Sequence, residues 1–513
     1  MLIRNGAMVM RVNDHAAITD VIPASKAFLY KGRTMVAVKH ALEEVCVLRN
    51  LGLDAPSPML YDGFTFAGRY TPMSHQVETA EFLTLNRRAF VLNDPGTGKS
   101  SAALWAVDYL RQRGHCGRVL VICPVSVVKV WVDEAFTTTP HLSVGVMMGT
   151  KTKRLDVLSA GDPIVVINFD GLTSLKAELK DKFDLIIVDE ASTYRNAQTM
   201  RYKALKGLIK AETRLWMMTG TPIPNAPTDA WAMVRLVSPG NVPGSFKLFQ
   251  ETVMRPAGPY KWIPRDGHKE IVYAAMQPAV RFRKADCMDL PPVTFNNRYC
   301  ELSKDQHHLF EKMRKTMRHE DHDVSITAAN AAVRVIKLQQ ICCGVVKDDA
   351  GDPVSVDDGP RIELLMELLE EIEGKVIVFA PFIFVMQRLK EIISKKYSVA
   401  LVNGSVNAAD RHAIFHAFQN DPNGSRILLA HPATTAHGLT LTAASNIIWY
   451  APIYSIEQYE QANARIDRKG QTESCTIYHI GAHAFEWAIY TVLQTKASLQ
   501  SALLALYQKL LDE

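Results

Sequence analysis

The sequence predicts an α/β protein with two tandem lobes, each built on a parallel sheet. Three observations predict this fold. Short, continuously apolar runs alternate with helical stretches between about 70 and 240, and the same alternation returns between about 356 and 484. A stretch rich in proline and glycine, 241–300, separates the two series. Continuous apolar runs are typical of strands covered on both faces, as in parallel sheets. A small α+β segment precedes the lobes, and helical insertions lie between and after them.

Residues 1–66 are predicted to form a small N-terminal domain. Within it, "TMVAVKH" has the composition of a strand, and "ALEEVCVLRNLG" that of a helix that ends near Gly52. Two interpretations stay open: a domain that recognises substrate, or a segment that only packs against the first lobe.

The first lobe is assigned to residues 67–240 and the second to residues 356–484. Strands of the first are predicted at "AFVLND", "RVLVICP", "PIVVINFD", "FDLIIVDE" and "RLWMMTGTP". Strands of the second are predicted at "KVIVFAP", "VALVNG", "RILLAHP", "NIIWYAP" and "CTIYHI". Between the lobes, 241–355 is a linker with a helical insertion: 241–300 is expected to be irregular, and 302–345 to form two helices. Residues 485–513 have helical periodicity, and a brace between the lobes is one hypothesis for them.

Charge, cysteine usage and hydropathy limit the class of protein. The net charge of +5 over 513 residues permits a nucleic-acid partner without requiring one. Eight scattered cysteines show no zinc-ligand spacing, which favours buried, reduced thiols. No apolar stretch approaches the ~20 residues of a membrane span. We therefore expect a soluble protein of the cytoplasm of a bacterial or phage-infected cell, or of the nucleus in a eukaryote.

The stretch "FVLNDPGTGKS" predicts a strand, a glycine turn and a helix N-terminus, which together can hold phosphate groups. Gly96 and Gly98 would let the backbone curl around the anion. Lys99 would reach the terminal phosphates of a nucleotide, and the Ser100 hydroxyl would hold Mg²⁺. Asn93 stands where the usual pattern begins with glycine, so an ordinary strand-to-helix turn is the alternative.

Two adjacent carboxylates end the predicted strand "FDLIIVDE". Ligands of parallel sheets bind at the carboxyl ends of strands, where the glycine turn also lies. Asp189 is therefore expected to hold Mg²⁺, and Glu190 to orient and deprotonate the attacking water. A solvated acidic strand end is the alternative interpretation.

The order of motifs resembles that of the SWI/SNF-type ATPases of helicase superfamily 2, over about residues 70 to 490. The motifs are "YTPMSHQVETAEFL", "NDPGTGKS", "VLVICPVSVVKVW", "IVVINFD", "DEASTYRN", "MTGTPIPN", "RFRKADCMDLPP", "KVIVFAP", "GLTLTAASNIIWY" and "QANARIDRKGQ". The compact insertions look more like the small phage, bacterial or annealing-helicase branch than the large chromatin remodellers. The resemblance implies two RecA-like lobes and an ATP hydrolase that uses ATP and Mg²⁺.

The resemblance also implies roles for single residues of the nucleotide site. Gln76 matches the glutamine that binds adenine, and the segment 219–222 matches the one that couples the nucleotide to the cleft between the lobes. Arg465 and Arg468 match the two arginines that reach the γ-phosphate, although residues three apart could also line one exposed helix face. The remaining nucleotide-binding positions are Pro95, Gly96, Thr97, Gly98, Lys99, Ser100, Asp189, Gly438 and Gln461.

Seven positions are expected to contact nucleic acid. The resemblance implies tracking on double-stranded DNA, with replication or repair proteins as further partners and a monomeric chain. The basic stretch 304–337 is either an outer basic face or a solvated helix. The seven positions are Pro124, Ser126, Lys129, Trp131, Asn168, Thr219 and Thr434.

Three departures from the family pattern qualify these roles. Asn93-Asp94 replaces the usual Asp-Glu, with little expected loss because backbone groups hold the phosphates. Ser192 replaces a histidine, which predicts weaker coupling between the lobes. Residues 432–441 lack a usual glycine pair, which puts the DNA contacts there in doubt.

The leading hypothesis is an ATP-driven translocase on duplex DNA. A strand-separating DNA or RNA helicase is the alternative within the motor class. A degenerate, nucleotide-sensing DNA-binding scaffold is the hypothesis from another class, and the presence of Lys99, Asp189, Glu190, Arg465 and Arg468 argues against it.

Overall fold

Apolar runs that alternate with helical stretches form two parallel sheets in the computed structural model. The structure describes residues 1–220, 223, 226–258, 261–320, 328–347, 352–435 and 440–495. Contacts divide the chain into two units: residues 1–223 with 227–287, and residues 224–226 with 288–513. Residues 1–66 belong to the first unit.

The N-terminal segment forms an antiparallel sheet in the order β1-β2-β4-β3. Its strands are β1 (Leu2–Arg4), β2 (Ala7–Arg11), β3 (Lys26–Tyr30) and β4 (Arg33–Lys39), and its helices are α1 (Ala16–Thr19) and α2 (Leu42–Asn50). Alternate residues of β2 and β4 pack with α2 in a small core, which includes Met8, Met10, Val36, Val38, Val45 and Leu48. The predictions of β4 and α2 are confirmed, while the other three strands were not predicted.

The first large sheet has seven strands in the order β13-β5-β10-β9-β6-β8-β7, and all its neighbours are parallel. The five predicted strands are its interior strands. The strands are β5 (Arg88–Val91), β6 (Val119–Cys123), β7 (Val144–Met147), β8 (Ile164–Asn168), β9 (Leu185–Asp189), β10 (Arg214–Met218) and β13 (Ala279–Val280). A separate antiparallel pair consists of β11 (Met254–Gly258) and β12 (Lys261–Pro264).

This sheet is covered on both faces, as the continuous apolar runs predict. Leu120 and Ile122 of β6 pack into one hydrophobic cluster, whereas Val119 and Val121 of the same strand pack into another. The helices of the first unit after α2 are α3 (Ser74–Leu85), α4 (Lys99–Gln112), α5 (Val128–Thr138), α6 (Lys151–Ala160), α7 (Phe169–Ser174), α8 (Lys176–Leu179), α9 (Met200–Leu208), α10 (Ala230–Val237), α11 (Phe246–Val253), α12 (His268–Ala275) and α13 (Lys284–Cys287).

The second unit holds a six-stranded parallel sheet in the order β14-β21-β20-β17-β19-β18. Its strands are β14 (Val293–Tyr299), β17 (Lys375–Phe379), β18 (Val399–Val402), β19 (Ile427–Ala430), β20 (Ala444–Trp449) and β21 (Cys475–Gly481), and an antiparallel pair adds β15 (Val345–Lys347) and β16 (Pro353–Ser355). Its helices are α14 (Lys304–Glu320), α15 (Ala328–Cys342), α16 (Gly359–Glu371), α17 (Ile383–Ile393), α18 (Ala408–Asn420), α19 (Pro432–Thr435), α20 (Ile456–Asn463) and α21 (Ala484–Thr495). Two sheets of this kind confirm the predicted fold class of two RecA-like lobes.

The stretch 241–300 is not irregular, and that expectation is wrong. It supplies two helices of eight residues, α11 and α12, and an edge strand to each parallel sheet, β13 and β14. The two units meet along the chain inside this stretch, between residues 287 and 288. Its proline and glycine content hid strands that are short or exposed.

Three further sequence expectations concern cysteines, membranes and the last helix. All eight cysteines are free thiols, and five of them are buried. Among the described residues, no helix has both the length and the apolar character that crossing a bilayer requires. Helix α21 packs within the second unit through Phe485, Ile489 and Tyr490. The brace hypothesis stays a prediction, because residues 496–513 lie outside the described part of the chain.

Candidate functional site

The glycine turn lies between the buried strand β5 and the N-terminus of α4. Gly96 and Gly98 have φ values of +88° and +78°, in the left-handed region that favours glycine. Gly98 also lies against α3, because a Cβ atom there would be 2.0 Å from Nε2 of Gln76. Both the backbone conformation and the close approach therefore require glycine at this position.

Lys99, the first residue of α4, closes the turn with its own side chain. Its ammonium donates hydrogen bonds to the carbonyl oxygens of Asn93 (2.9 Å) and Asp94 (3.2 Å). The 14-residue helix α4 directs its N-terminus at the same turn, and Ser100 follows Lys99 there. A cation, a helix N-terminus and a hydroxyl at one glycine turn fit a nucleoside triphosphate with its metal ion.

Two neighbours on α3 hold the other side of the turn. His75 Nε2 lies 2.9 Å from the Thr97 carbonyl oxygen, and the Gln76 amide donates to the same oxygen at 3.3 Å. The side-chain Oε1 of Gln76 accepts from the Met73 N–H at 3.0 Å. A glutamine amide has two N–H donors and two lone pairs. One of each is left for the edge of a base, so the geometry fits the adenine contact expected of Gln76. Sequence reasoning did not identify His75.

Asp189 lies at the end of β9, and each of its two carboxylate oxygens accepts a hydrogen bond. Trp131 donates its indole N–H to Oδ2 at 2.9 Å, and the Glu190 N–H donates to Oδ1 at 3.0 Å. Burial raises the pKa of Asp189, the adjacent Glu190 raises it further, and the Trp131 bond and the Lys99 charge oppose the shift. A desolvated carboxylate beside a second one favours a cation, and oxygen ligands suit Mg²⁺. The residues present therefore fit the expected metal site.

Glu190 has a backbone conformation that is rare for its residue type. Its φ and ψ are +52° and +53°, in the left-handed region. Non-glycine residues held there cost on the order of 1–3 kcal/mol and cluster at functional sites. The strained turn directs the chain from β9 into a short 3₁₀ helix at Ala191–Tyr194.

The segment after β10 packs against the glycine turn. The Thr219 N–H donates to the Val91 carbonyl oxygen at 3.0 Å, next to the turn. A Cβ atom on Gly220 would be 2.8 Å from Cδ of Pro95. The first half of the expected coupling segment therefore contacts the phosphate loop, while Thr221 and Pro222 lie outside the described residues.

The side chains of Asn93 and Asp94 hold the segment that follows β13, the last strand of the first unit. Asn93 Oδ1 accepts from the Phe282 N–H, and Asp94 Oδ2 accepts from the Lys284 N–H, both at 3.0 Å. The Asp94 N–H donates to the Phe282 carbonyl oxygen at 3.0 Å. Sequence reasoning treated these two side chains as nearly neutral replacements. No local signal could reveal their partners, which lie 189 and 190 residues away.

Trp131 differs most from the role expected of it. Its side chain is only 1% exposed and donates to Asp189. A side chain this deeply buried has little surface to offer a nucleic acid, and the hydrogen bond makes Trp131 a positioning residue of the carboxylate.

The other expected nucleic-acid contacts of the first unit lie at the carboxyl ends of neighbouring strands. Lys129 is exposed, and Pro124 and Ser126 are half-buried, all after β6. Asn168 ends β8, and its buried Oδ1 has no hydrogen-bond partner among the described residues. Thr219 is buried after β10. These residues share the sheet edge that carries the glycine turn and Asp189.

In the second unit, Arg465 and Arg468 follow α20 and are not part of it. The helix ends at Asn463, and Arg465 is 4% exposed, with its Nε–H donating to the Gln461 carbonyl oxygen at 2.7 Å. The alternative of two arginines on one exposed helix face is therefore wrong.

Three other positions of the second unit were expected to bind ligand. The Gln461 side chain is buried, and its Oε1 has no hydrogen-bond partner among the described residues. The Thr434 hydroxyl donates to the His431 carbonyl oxygen at 2.7 Å. Gly438 lies outside the described part of the chain.

Comparisons with known proteins find several relatives of this chain. The MG018 protein of Mycoplasma genitalium, named an uncharacterized ATP-dependent helicase, is 26% identical over 402 residues, which cover 76% of this chain and 37% of MG018. Protein p41 of Acyrthosiphon pisum secondary endosymbiont phage 1 is 26% identical, covering 80% of this chain and 93% of p41. The human DNA annealing helicase and endonuclease ZRANB3 is 23% identical, covering 82% of this chain and 39% of ZRANB3. The chain thus spans well under half the length of MG018 and ZRANB3.

Two family models match consecutive parts of the chain. The helicase conserved C-terminal domain matches residues 360–470. The SNF2-related domain matches residues 69–345, which is more than half of the chain and contains every predicted site residue of the first unit. The chain therefore belongs to the SNF2-related family.

Proposed function

We propose that the chain hydrolyses ATP with Mg²⁺ and uses the energy to translocate on duplex DNA, in repair, recombination or replication. One observation carries the proposal. Lys99, the glycine turn, Asp189 and Glu190 lie at one edge of one parallel sheet, at the carboxyl ends of β5 and β9, which only β10 separates. Family membership supports ATP use, and the relatives named as ATP-dependent and DNA annealing helicases support a nucleic-acid motor.

The residues of this edge have distinct roles in the proposal. Gln76 binds the base, while the turn from Pro95 to Gly98 and Lys99 bind the phosphates. Ser100 and Asp189 hold Mg²⁺, which offsets charge on the phosphate oxygens. Glu190 orients the attacking water and accepts its proton.

The second unit contributes arginines in this proposal. Arg465 and Arg468 contact the γ-phosphate, and Gln461 and Gly438 belong to the same nucleotide-binding set. Lys129, Ser126 and Asn168 contact the DNA backbone at the strand ends of the first sheet. Contacts to phosphate are independent of sequence, which suits a motor that moves along DNA.

ATP hydrolysis by the wild type and Glu190→Gln tests the proposal, measured without nucleic acid and with single-stranded DNA, duplex DNA or RNA. We expect duplex DNA to stimulate the wild type and Glu190→Gln to abolish hydrolysis while ATP still binds. The matched control is Glu212→Gln, an exposed carboxylate between α9 and β10.

Movement is tested separately from hydrolysis by ATP-dependent displacement of a third strand from a DNA triplex. Displacement of the third strand without separation of the duplex supports a translocase. If only single strands or RNA stimulate ATP hydrolysis, and the protein separates the strands of a duplex, the helicase alternative would replace the translocase. If the protein binds ATP but hydrolyses it under none of these conditions, the DNA-binding scaffold is the remaining hypothesis.

A further inference from the structure

The N-terminal sheet has one open face, whose composition differs from that of the rest of the chain. Its other face packs on α2. Strand register places Phe28 beside Met35 and Arg11, Tyr30 beside Arg33, Lys26 beside Ala37 and Val9, and Lys39 beside Ala7. Residues paired across antiparallel strands point to the same face. The open face therefore consists of Leu2, Arg4, Ala7, Val9, Arg11, Lys26, Phe28, Tyr30, Arg33, Met35, Ala37 and Lys39.

Five of these twelve side chains are basic, two are aromatic and none is acidic. In the described part of the chain, no salt bridge joins any of the five to a carboxylate. Lys31 adds a further positive charge at the β3–β4 turn, with its Nζ 5.5 Å from the centre of the Tyr30 ring. A face with this charge attracts a polyanion and repels a second copy of itself.

The aromatic side chains lie on the edge strand β3, where they are open to solvent. Phe28 and Tyr30 are 41% and 57% exposed. The two rings lie side by side on one face and are rimmed by cations, and an exposed apolar patch with a polar rim is typical of a binding surface. Lys26 and Tyr30 flank Phe28 along the strand, and Arg33 lies across from Tyr30. Each ring is therefore next to at least one cation.

The spacing of the two rings fits unpaired bases. Residues two apart on a strand lie about 6.6–6.8 Å apart on one face, a distance that neighbouring bases of an extended single strand can span. Stacking on aromatic side chains needs a free base face, which a single strand offers and a duplex does not. The surrounding cations then contact the phosphates of the same strand.

We propose that this face, which we call the β3 face, binds single-stranded DNA, with bases stacked on Phe28 and Tyr30 and phosphates held by Lys26, Arg33 and Arg11. The site lies outside residues 69–345 and 360–470, which the two family models match. It does not depend on ATP hydrolysis, so binding without nucleotide tests it independently of the proposed motor activity.

The experiment measures the anisotropy of a fluorescein-labelled 30-mer oligo-dT titrated with the full chain, without nucleotide and at several salt concentrations. For Phe28→Ala/Tyr30→Ala, we expect Kd to rise at least about tenfold, because two stacking contacts are lost. For Lys26→Ala/Arg33→Ala, we expect weaker binding and a slope of log K against log salt smaller by about 1.4, or ~0.7 per phosphate contact.

Matched controls separate the β3 face from general charge and aromatic content. Tyr273→Ala removes another exposed aromatic side chain. Lys180→Ala/Lys182→Ala removes two exposed lysines just before β9, at the sheet edge opposite the glycine turn. Thermal unfolding confirms that each variant folds. We expect both controls to bind like the wild type.

Two results would overturn the proposal. One is a Kd and a salt slope of the folded β3-face variants equal to those of the wild type. The other is that these substitutions weaken binding of a blunt 30-bp duplex while leaving the single-strand Kd unchanged, which would assign the face to duplex DNA.

Discussion

The two parallel sheets differ in where their polar side chains lie. In the first sheet, Asp189, Glu190 and Lys99 gather at the carboxyl edge, where a ligand can reach them. In the second, charged groups are enclosed: Arg361 of α16 pairs with Glu486 of α21 at 2.5 Å, and both are at most 1% exposed. The Arg361 guanidinium also donates to the Tyr450 carbonyl oxygen at 2.6 Å. The first sheet therefore keeps these polar groups at an accessible edge, whereas the second unit uses a buried ion pair to hold two helices together.

The largest expected effect tests whether the second unit contributes to ATP hydrolysis through the arginines that follow α20. We expect Arg468→Ala to lower kcat by about 10³- to 10⁵-fold, the usual effect of losing an arginine finger, with nucleotide affinity reduced far less. Steady-state hydrolysis and ATP binding measure the two effects. Lys469→Ala changes an exposed neighbouring cation and serves as the control. A loss below tenfold would contradict the role proposed for Arg468.

The enclosed ion pair predicts a large effect on stability. Glu486→Gln leaves the Arg361 charge buried without its partner, which should lower the free energy of unfolding by about 3–5 kcal/mol. Denaturant unfolding of the second unit measures this. Glu370→Gln breaks an exposed pair with Lys396 and should cost at most ~1 kcal/mol. Equal losses for the two variants would mean that burial does not matter here.

His479 predicts that the second unit loses stability in acid. Burial lowers the pKa of this side chain from 6.5 to about 3. Between those values the unfolded chain binds a proton that the folded chain does not. The free energy of unfolding should therefore fall by about 1.4 kcal/mol for each pH unit from 6.5 down towards 3.

The test compares the pH slopes of wild type and His479→Gln between pH 5 and 6.5, above the range in which most carboxylates titrate. The side chain lies 2.9 Å from the Tyr459 hydroxyl and 3.1 Å from Asn297 Oδ1, contacts that glutamine can partly replace. Identical slopes would show that His479 does not cause the loss of stability in acid.

The strained turn at Glu190 predicts the smallest effect. There, glycine should be more stable than alanine, the reverse of the order expected in a helix. Because Glu190 has a left-handed backbone, Glu190→Gly should be about 1 kcal/mol more stable than Glu190→Ala, although both lose hydrolysis. In the exposed helical position Glu367 of α16, glycine should be about 1 kcal/mol less stable than alanine. The same order at both positions would show that the turn is not strained.

The sequence predicted the interior strands because each is a continuous apolar run. It missed β13, which has only two residues, and β14, where "VTFNNRY" is polar and exposed on the edge of its sheet. The strands β1, β2 and β3 were missed because they have only three, five and five residues, too few for a clear periodicity. The edge strands β13 and β14 pair with β5 and β21, which are distant in the chain.

The candidate site likewise contains residues that local motifs predict and contacts that they do not. Lys99, Asp189 and Glu190 were predicted because each belongs to a short local motif. The bond from Trp131 to Asp189 spans 58 residues, and the bonds from Asn93 and Asp94 span about 190. Folding creates such contacts, and no spacing rule could reveal them.

The long-range hydrogen bonds of Asn93 and Asp94 connect the glycine turn to the residues at the end of the first unit. Lys284, held by Asp94, lies only three residues before Cys287, where that unit ends. Phe282, held by Asn93, lies five residues before the same boundary. The glycine turn is thus hydrogen-bonded directly to the residues at which the first unit ends.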